Sequence, residues 1–273
     1  MTAMTLGSLR SGTPDLCSIA VTGTGFPAAD GGVGDVTWRI PEEVAIAFEY
    51  NGRSHAVMMA TPADLEDFAL GFSLAEEIVG ESSDIERIVV QETPLGRVVN
   101  MTVDPLRLLR GSLRSRSMEG RSGCGLCGVD SLVHAVREPR RVTSTLAVEP
   151  AAVAAAFAAL PDHQPMNRAN RSVHGAAWCE PDGTIRFARE DVGRHNALDK
   201  LIGAVVGAGV DPASGFVVMT SRCSFELVQK SAAVGIPLLA TISAPTALAL
   251  ELARNAGLTL GSLSRGDGVV LFR

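Results

Sequence analysis

Lysine is almost absent from this chain. Only Lys200 and Lys230 interrupt a basic complement that is otherwise arginine. Arginine presents a planar fork and lysine a compact ammonium, so two isolated lysines point to positions that need the ammonium; chance retention is the plain alternative. Cysteine is sparse too. Five are present, an odd number, and only Cys124 and Cys127 are close in sequence, which excludes a disulfide scaffold and points to a reducing compartment. No apolar run approaches the roughly 18 residues that span a bilayer. No charged segment followed by an apolar core opens the sequence, so no secretory leader is expected. Positive charge is short overall: the net charge is −6, which argues against general binding of nucleic acid. The expectation is a cytoplasmic protein with no membrane and no nucleic-acid partner.

The positive charge that exists is concentrated. From Arg107 to Arg121 five arginines meet one acid, Glu119, and Ser122-Gly123-Cys124-Gly125-Leu126-Cys127-Gly128 follows at once. Neighbouring cations favour the thiolate of a cysteine, whose free pKa is about 8.5. A helix N-terminus acts in the same direction, and residues 129–136 could form a short helix after Cys127. The glycines let the backbone turn tightly and leave the sulfurs uncovered. Arginine forks also suit phosphate oxygens. The local chemistry is therefore a reactive thiolate beside a site for a phosphorylated ligand. Three plainer readings stand next to it. The pair could be half of a zinc site, although a second C-x-x-C is missing and Cys17, Cys179 and Cys223 are isolated. It could be a thioredoxin-type dithiol, although that motif should follow a strand and open a helix. The arginines could be only a solvated face.

At 273 residues and 46% hydrophobic content, the chain can form one large domain or two small ones. Residues 1–36 are rich in Gly, Thr, Ser, Ala and Asp without periodicity and read as a flexible tail. Residues 37–106 read as a small α+β domain. It has a strand over 44–50, an Asn51-Gly52 hairpin turn and a return strand over 53–59. Thr61 then caps a helix that runs to Val79, with Leu65, Phe68, Phe72, Ala75 and Val79 inward and Gly80 ending it. Strands over 85–91 and 97–103 complete the unit. Residues 107–141, the arginine segment and thiol loop, read as a connector between domains, where ligand clefts are frequent.

From 142 to 273 helices and strands alternate. Helices are expected over 150–160, 193–206, 224–234 and 245–256. Strands are expected over 174–180, 184–189, 216–220, 236–242, 258–263 and 269–272. Apolar strands alternating with helices imply an α/β domain, a mixed or parallel sheet covered by helices. Polar motifs fall where strands pass into helices, at Arg189 to Asn196, Thr220 to Ser224 and Ser243 to Thr246. Each junction offers free backbone N–H groups with hydroxyls or an arginine, the parts of an anion cradle. Plain helix capping is the other reading of Ser224, Ser243 and Thr246.

Several of these stretches together resemble one family. They are Cys124-Gly125-Leu126-Cys127-Gly128, the run from Glu190 through Asp191-Val192-Gly193-Arg194-His195-Asn196 to Asp199-Lys200, the stretch from Ser224 to Lys230, Ser243-Ala244-Pro245-Thr246, and Leu258-Thr259-Leu260. They resemble the FdhD/NarQ family of formate dehydrogenase accessory sulfur carriers, from roughly residue 40 to the end. The resemblance implies that a cysteine desulfurase loads a persulfide on Cys124, with Cys127 as its partner. The sulfur then passes to the molybdenum cofactor, in its bis-(molybdopterin guanine dinucleotide) form, before insertion into formate dehydrogenase, the client. It implies a cytidine-deaminase-like fold for 142–273, a homodimer, and a cofactor-binding stretch at Leu263, Ser264, Arg265, Gly266, Asp267 and Gly268. Arg194, His195, Arg222, Ser224 and Ser243, at the three junctions, are the further contacts expected for the cofactor phosphates. No resident metal is expected. The sequence departs from the family pattern at Arg171-Ser172-Val173-His174, at Cys223, and in a C-terminal loop without a second arginine. Two rival functions remain. A zinc deaminase needs His-x-Glu and Pro-Cys-x-x-Cys, whereas here Gly175-Ala176 follow His174 and no proline precedes Cys124. A chaperone that binds the cofactor without transferring sulfur is the other.

Overall fold

Two β-sheets share the apolar residues, and one helix is packed between the layers. The computed structural model describes residues 17–26, 33–108, 138–263 and 268–273. Near the start, β1 (Ser18–Gly25) and β2 (Gly34–Pro41) pair as an antiparallel ribbon. The flexible tail expected over 1–36 is corrected there. Alternation in Ile19, Val21, Trp38 and Ile40 is a period-two signal that the small residues around it obscured.

The first sheet has the order β4-β3-β6-β5. Its strands are β3 (Val44–Tyr50), β4 (Arg53–Ala60), β5 (Ile85–Thr93) and β6 (Gly96–Val103). Asn51 and Gly52 both take positive φ, at 52° and 75°, as a two-residue hairpin turn demands. Helix α1 (Leu65–Ala75) lays Leu65, Phe68 and Phe72 on Ile46, Phe48 and Met101 of this sheet. It stops four residues before the expected end at Val79. Glu77 turns left-handed at φ 54°, yet Ile78 and Val79 stay in the core. Thr61 is not the helix cap either. Asp64 occupies that position, and Thr61 is used elsewhere.

The second sheet is mixed and covered by helices, as the alternation implied. Its order is β12-β11-β10-β9-β7-β8. Here β7 is His174–Cys179, β8 Ile185–Asp191, β9 Phe216–Met219, β10 Leu238–Thr241, β11 Thr259–Leu263 and β12 Val269–Phe272. Strands β9, β10 and β11 run parallel, while β7, β8 and β12 pair antiparallel with their neighbours. On one face lie α4 (Arg194–Gly207), α5 (Phe225–Ala233) and α6 (Ala247–Ala256). There Leu198, Leu201, Leu227 and Leu252 pack with Trp178, Val217 and Leu239. On the other face α2 (Pro150–Ala159) buries Val153, Ala156 and Phe157 against Ala177, Phe216 and Val218. A short helix, α3 (Pro165–Asn170), precedes β7.

The two halves meet where α1 crosses α4. A β-carbon on Gly71 would overlap the backbone of Asp199 and Gly203, and one on Gly203 would overlap the backbone of Asp67. The missing side chains let the helices touch backbone to backbone, so α1 is buried between its own sheet and α4. Gly203→Ala should therefore cost about 1–3 kcal/mol by overpacking. Thermal unfolding would read this as a Tm lowered by several degrees, at about 2–4 °C per kcal/mol. An unchanged Tm would show that the crossing has slack.

Candidate functional site

The edge at the C-terminal ends of β9, β10 and β11 gathers the three strand-to-helix junctions. Most of the first junction is engaged internally. Alternation along β8 points Arg189 and Asp191 to the α1 side and Glu190 to the α3 side. Arg189 grips Asp67 of α1, with Nη2 2.7 Å from Oδ2. Glu190 accepts from the backbone N–H groups of Met166 and Asn167, both at 2.8 Å, and so holds the first turn of α3.

Asp191 is fully buried and fully bonded. Its Oδ1 accepts from Gly193 N–H at 2.7 Å and from Asn196 Nδ2 at 2.9 Å. Its Oδ2 accepts from Thr61 N–H at 3.0 Å and pairs with Lys200 Nζ at 2.7 Å. Thr61 completes the tie: its carbonyl accepts from Lys200 Nζ at 2.9 Å, and its Oγ1 accepts from Val192 N–H at 3.1 Å. Asn196 Nδ2 also donates to Met59 O. The chain between the first sheet and α1 is thus stitched to the turn that opens α4.

The other lysine repeats the arrangement one turn on. Lys230 Nζ lies 2.8 Å from Asp199 Oδ2 and 3.0 Å from Glu76 Oε1. Lys200 stands over the Phe68 ring at 5.6 Å and Lys230 over Phe72 at 5.3 Å, one ammonium for each of two rings on α1. Burial pushes the Asp199 carboxyl up to about 7 against the pull of Lys230. Burial would lower the Lys230 ammonium, but Asp199 and Glu76 outweigh it and hold its pKa above the usual range. Both lysines of the chain are therefore structural ammoniums, and Asp199 and Lys200 are not available to a ligand.

Arg194 and His195 are what the first junction leaves over. Arg194 opens α4 half-buried, and its Nε is buried without a hydrogen-bond partner among the described residues. His195 Nε2 lies 3.4 Å from Ser224 Oγ and 3.6 Å from Glu226 Oε2, across to the start of α5. Burial lowers the His195 pKa and Arg194 adds to this, opposed by Glu226. His174, at the start of β7, is lowered for the same two reasons, burial first and Arg194 second. Burial would raise Glu226, but hydrogen bonds from His195 and Ser224 outweigh it and keep the carboxylate ionised. Arg222 is exposed at the second junction, and Ser224 is the N-cap residue of α5 without a side-chain cap bond. Thr246 caps α6 through its Oγ1 and Ala249 N–H, while its own N–H bonds Cys223 O and ties the third junction to the second. Ser243 is half-buried beside it. The edge thus offers a guanidinium with spare donors, two neutral imidazoles and the first turns of two helices, a set that suits a polyphosphate.

The structure brings Arg194, His195, Arg222, Ser224 and Ser243 to this edge. Leu263 ends β11 at the same edge, and Gly268 precedes β12. Ser264, Arg265, Gly266 and Asp267 lie outside the described residues, as do Cys124 and Cys127. His174 and Glu226 were not singled out for the site from sequence. An acid in the first turn two residues after Ser224 was the available signal for Glu226. The described thiols of Cys179 and Cys223 are buried, and burial pushes each up to about 12. Among the described residues no three His, Cys, Asp or Glu side chains converge as a metal site would require. No described helix is long and apolar enough to cross a membrane. A cavity of about 660 Å³ lies at the opposite end of the sheet, lined by Arg141, Asp211, Pro212 and Val234 among others, away from these junctions.

Comparison with known proteins bears on most of the chain. The profile of the FdhD/NarQ family matches residues 41–273. The sulfur carrier protein FdhD of Chromobacterium violaceum is 49% identical over 235 residues, covering 85% of this chain and 87% of its own. That of Xanthomonas euvesicatoria pv. vesicatoria is 48% identical over 233 residues, covering 85% and 83%. A crystal structure described as that of a formate dehydrogenase accessory protein from Desulfotalea psychrophila superposes with a TM-score of 0.74 at 23% identity. It covers 94% of this chain and 97% of that one, and establishes a shared fold.

The lowered histidines give the edge a pH signature. A bound polyphosphate favours the imidazolium of His174 and His195, so binding takes up protons and tightens as pH falls. Titration calorimetry with pyrophosphate should show affinity rising between about pH 8 and about pH 6, by up to about tenfold per unit for each histidine. His195→Gln should flatten that slope. An affinity independent of pH would separate the histidines from the anion site.

Proposed function

The chain belongs to the FdhD/NarQ family, and from that premise we propose that it is a sulfur carrier that serves formate dehydrogenase. The observation that carries this reading is near half identity to proteins named sulfur carriers, over most of both chains. In this reading Cys124 is the carrier. Its thiolate attacks the outer sulfur of a cysteine desulfurase persulfide. A new S–S bond forms on Cys124, the old one breaks, and the donor leaves as its own thiolate. Arginine-rich sequence from Arg107 to Arg121 supports the thiolate form, and Cys127 serves as the partner thiol. Cys179 and Cys223 support the assignment by contrast, since a thiol held near 12 and out of solvent is a poor nucleophile.

The acceptor substrate is the molybdenum cofactor in its bis-(molybdopterin guanine dinucleotide) form. The strand-end edge fits its phosphates: Arg194 and Arg222 supply guanidiniums, Ser224 and Ser243 hydroxyls, and the N-termini of α4 and α5 free N–H groups. The stretch Leu263 to Gly268 follows β11 on the same edge and completes the contacts in this reading. We read the six-stranded sheet with its helices as the cytidine-deaminase-like unit, and the cytoplasm as the place of work. In this reading the thiol and the phosphate contacts are different residues, so loading and docking can fail independently.

Mass spectrometry tests the reading. After incubation with a cysteine desulfurase and cysteine, the peptide bearing Cys124 should gain one sulfur atom. Cys124→Ala should abolish the gain and leave formate dehydrogenase inactive in cells, while Cys223→Ala should keep the gain and the dehydrogenase activity. No gain, or a gain confined to another cysteine, would reject the carrier assignment.

A further inference from the structure

One ring nitrogen of His195 meets two oxygens. Its Nε2 lies 3.4 Å from Ser224 Oγ and 3.6 Å from Glu226 Oε2. Both oxygens belong to the start of α5. Ser224 is the N-cap residue and makes no cap bond with its side chain. Glu226 is the second helical residue, one short of the place from which a capping box reaches back. Its side chain is turned inward, 13% exposed, and accepts from His195 and from the Ser224 hydroxyl. An ionised carboxylate has no hydrogen to give. The one hydrogen of the Ser224 hydroxyl is therefore committed to Glu226, and what Ser224 shows to His195 is a lone pair. Two acceptors facing one nitrogen require that nitrogen to carry the hydrogen. The neutral ring is thus the Nε2–H tautomer, and Nδ1 is bare.

We propose that Glu226 is a positioning residue of the phosphate cradle: it holds the hydrogen of neutral His195 on Nε2, so that Nδ1 is the atom that takes up a proton and donates a hydrogen bond to a docked phosphate. The inference rests on the reading of this edge as the phosphate site. A bare Nδ1 meets a phosphate oxygen lone pair to lone pair. Protonated, it becomes a donor on a cationic ring. Glu226 favours that cation from α5. The other charges around the ring oppose it: Arg194 beside it on α4, Lys230 one turn further along α5, and His174 on β7 once that ring is charged. Lys230 is held by Asp199 and Glu76, which leaves the Glu226 carboxylate to His195 and Ser224. A phosphate that takes the Ser224 hydrogen as well leaves Nε2 still facing the carboxylate. Because both contacts fall on one nitrogen, the group is not a nucleophile triad, in which acid and hydroxyl sit on opposite nitrogens of the ring.

Two measurements test this. In the unmodified chain with isotope-labelled histidine, long-range nitrogen–proton spectra distinguish the tautomers, and His195→Gln identifies the His195 signals. The neutral ring should carry its hydrogen on Nε2. Hydrogen on Nδ1 would overturn the proposal with no change made at Glu226, so a misfolded variant does not leave the matter open. Titration calorimetry with pyrophosphate is the second. By charge alone, Glu226→Gln removes a repelling carboxylate and would tighten binding. The proposal predicts the reverse: at about pH 7 binding should weaken by about threefold to tenfold, because less imidazolium forms, and the deficit should shrink as pH falls. Tighter or unchanged binding in Glu226→Gln would overturn the role of Glu226 and leave the phosphate reading standing. An unmodified chain that binds no pyrophosphate would overturn the phosphate reading, and the proposal with it.

Discussion

An ammonium group with no access to water sits at the centre of this protein. Lys200 is 0% exposed, and its charge is tolerable only because Asp191 and the Thr61 carbonyl close around it. Burying such a pair brings little net stability, since desolvation consumes much of the Coulombic gain. What it imposes is geometry. Asp191 reaches its full complement of hydrogen bonds only if Thr61, Gly193, Asn196 and Lys200 all stand where they do. A half-made version leaves a buried charge unpaired, at a cost of about 3–5 kcal/mol. The α1–α4 crossing has the same character. Gly71 and Gly203 permit one close approach, and a slid or rotated crossing would lose both the backbone contact and the ion pairs.

This constraint decides which residues remain for a ligand. The run from Glu190 to Lys200 looks functional in its entirety, yet the structure divides it. Glu190, Asp191, Asn196, Asp199 and Lys200 hold α3, the Thr61 strand end and α1 in place. Arg194 and His195 are the residues left facing the edge, with His174 as a neighbour and Glu226 opposing the burial that lowers His195. The residues that bind internally fix the start of α4 in position, and the start of α4 fixes Arg194. On the proposed reading, these internal ties fix the acceptor cradle, and the thiols belong to a separate part of the sequence.

Much of this could be read from residues alone, and the exceptions have physical causes. Asn51-Gly52 marks a turn because few residues tolerate the positive φ it requires, and that hairpin emerged where it was expected. The apolar strands β9 and β10 were visible as short runs of Val, Leu and Ile. Two lysines in an arginine-rich chain hinted at special positions, and both proved to be buried ammoniums. Thr61 misled because its place before Pro62 and Asp64 mimics a cap, while its true partners lie some 130 positions away in sequence. Local pattern cannot display such a contact. The ribbon was missed because its apolar side chains alternate with Gly, Thr and Ala, which resemble a disordered tail when no packing partner is in view.

The central claim is that a tie between the first sheet and the turn before α4 sets the phosphate cradle. The affinity of folded Lys200→Met for guanosine diphosphate, measured by calorimetry below its melting temperature, tests it most directly. The account predicts binding at least about tenfold weaker than in the unmodified chain, a loss of about 1.4 kcal/mol, with sulfur loading of Cys124 retained. Unchanged affinity in a variant that has lost the buried ammonium would contradict it.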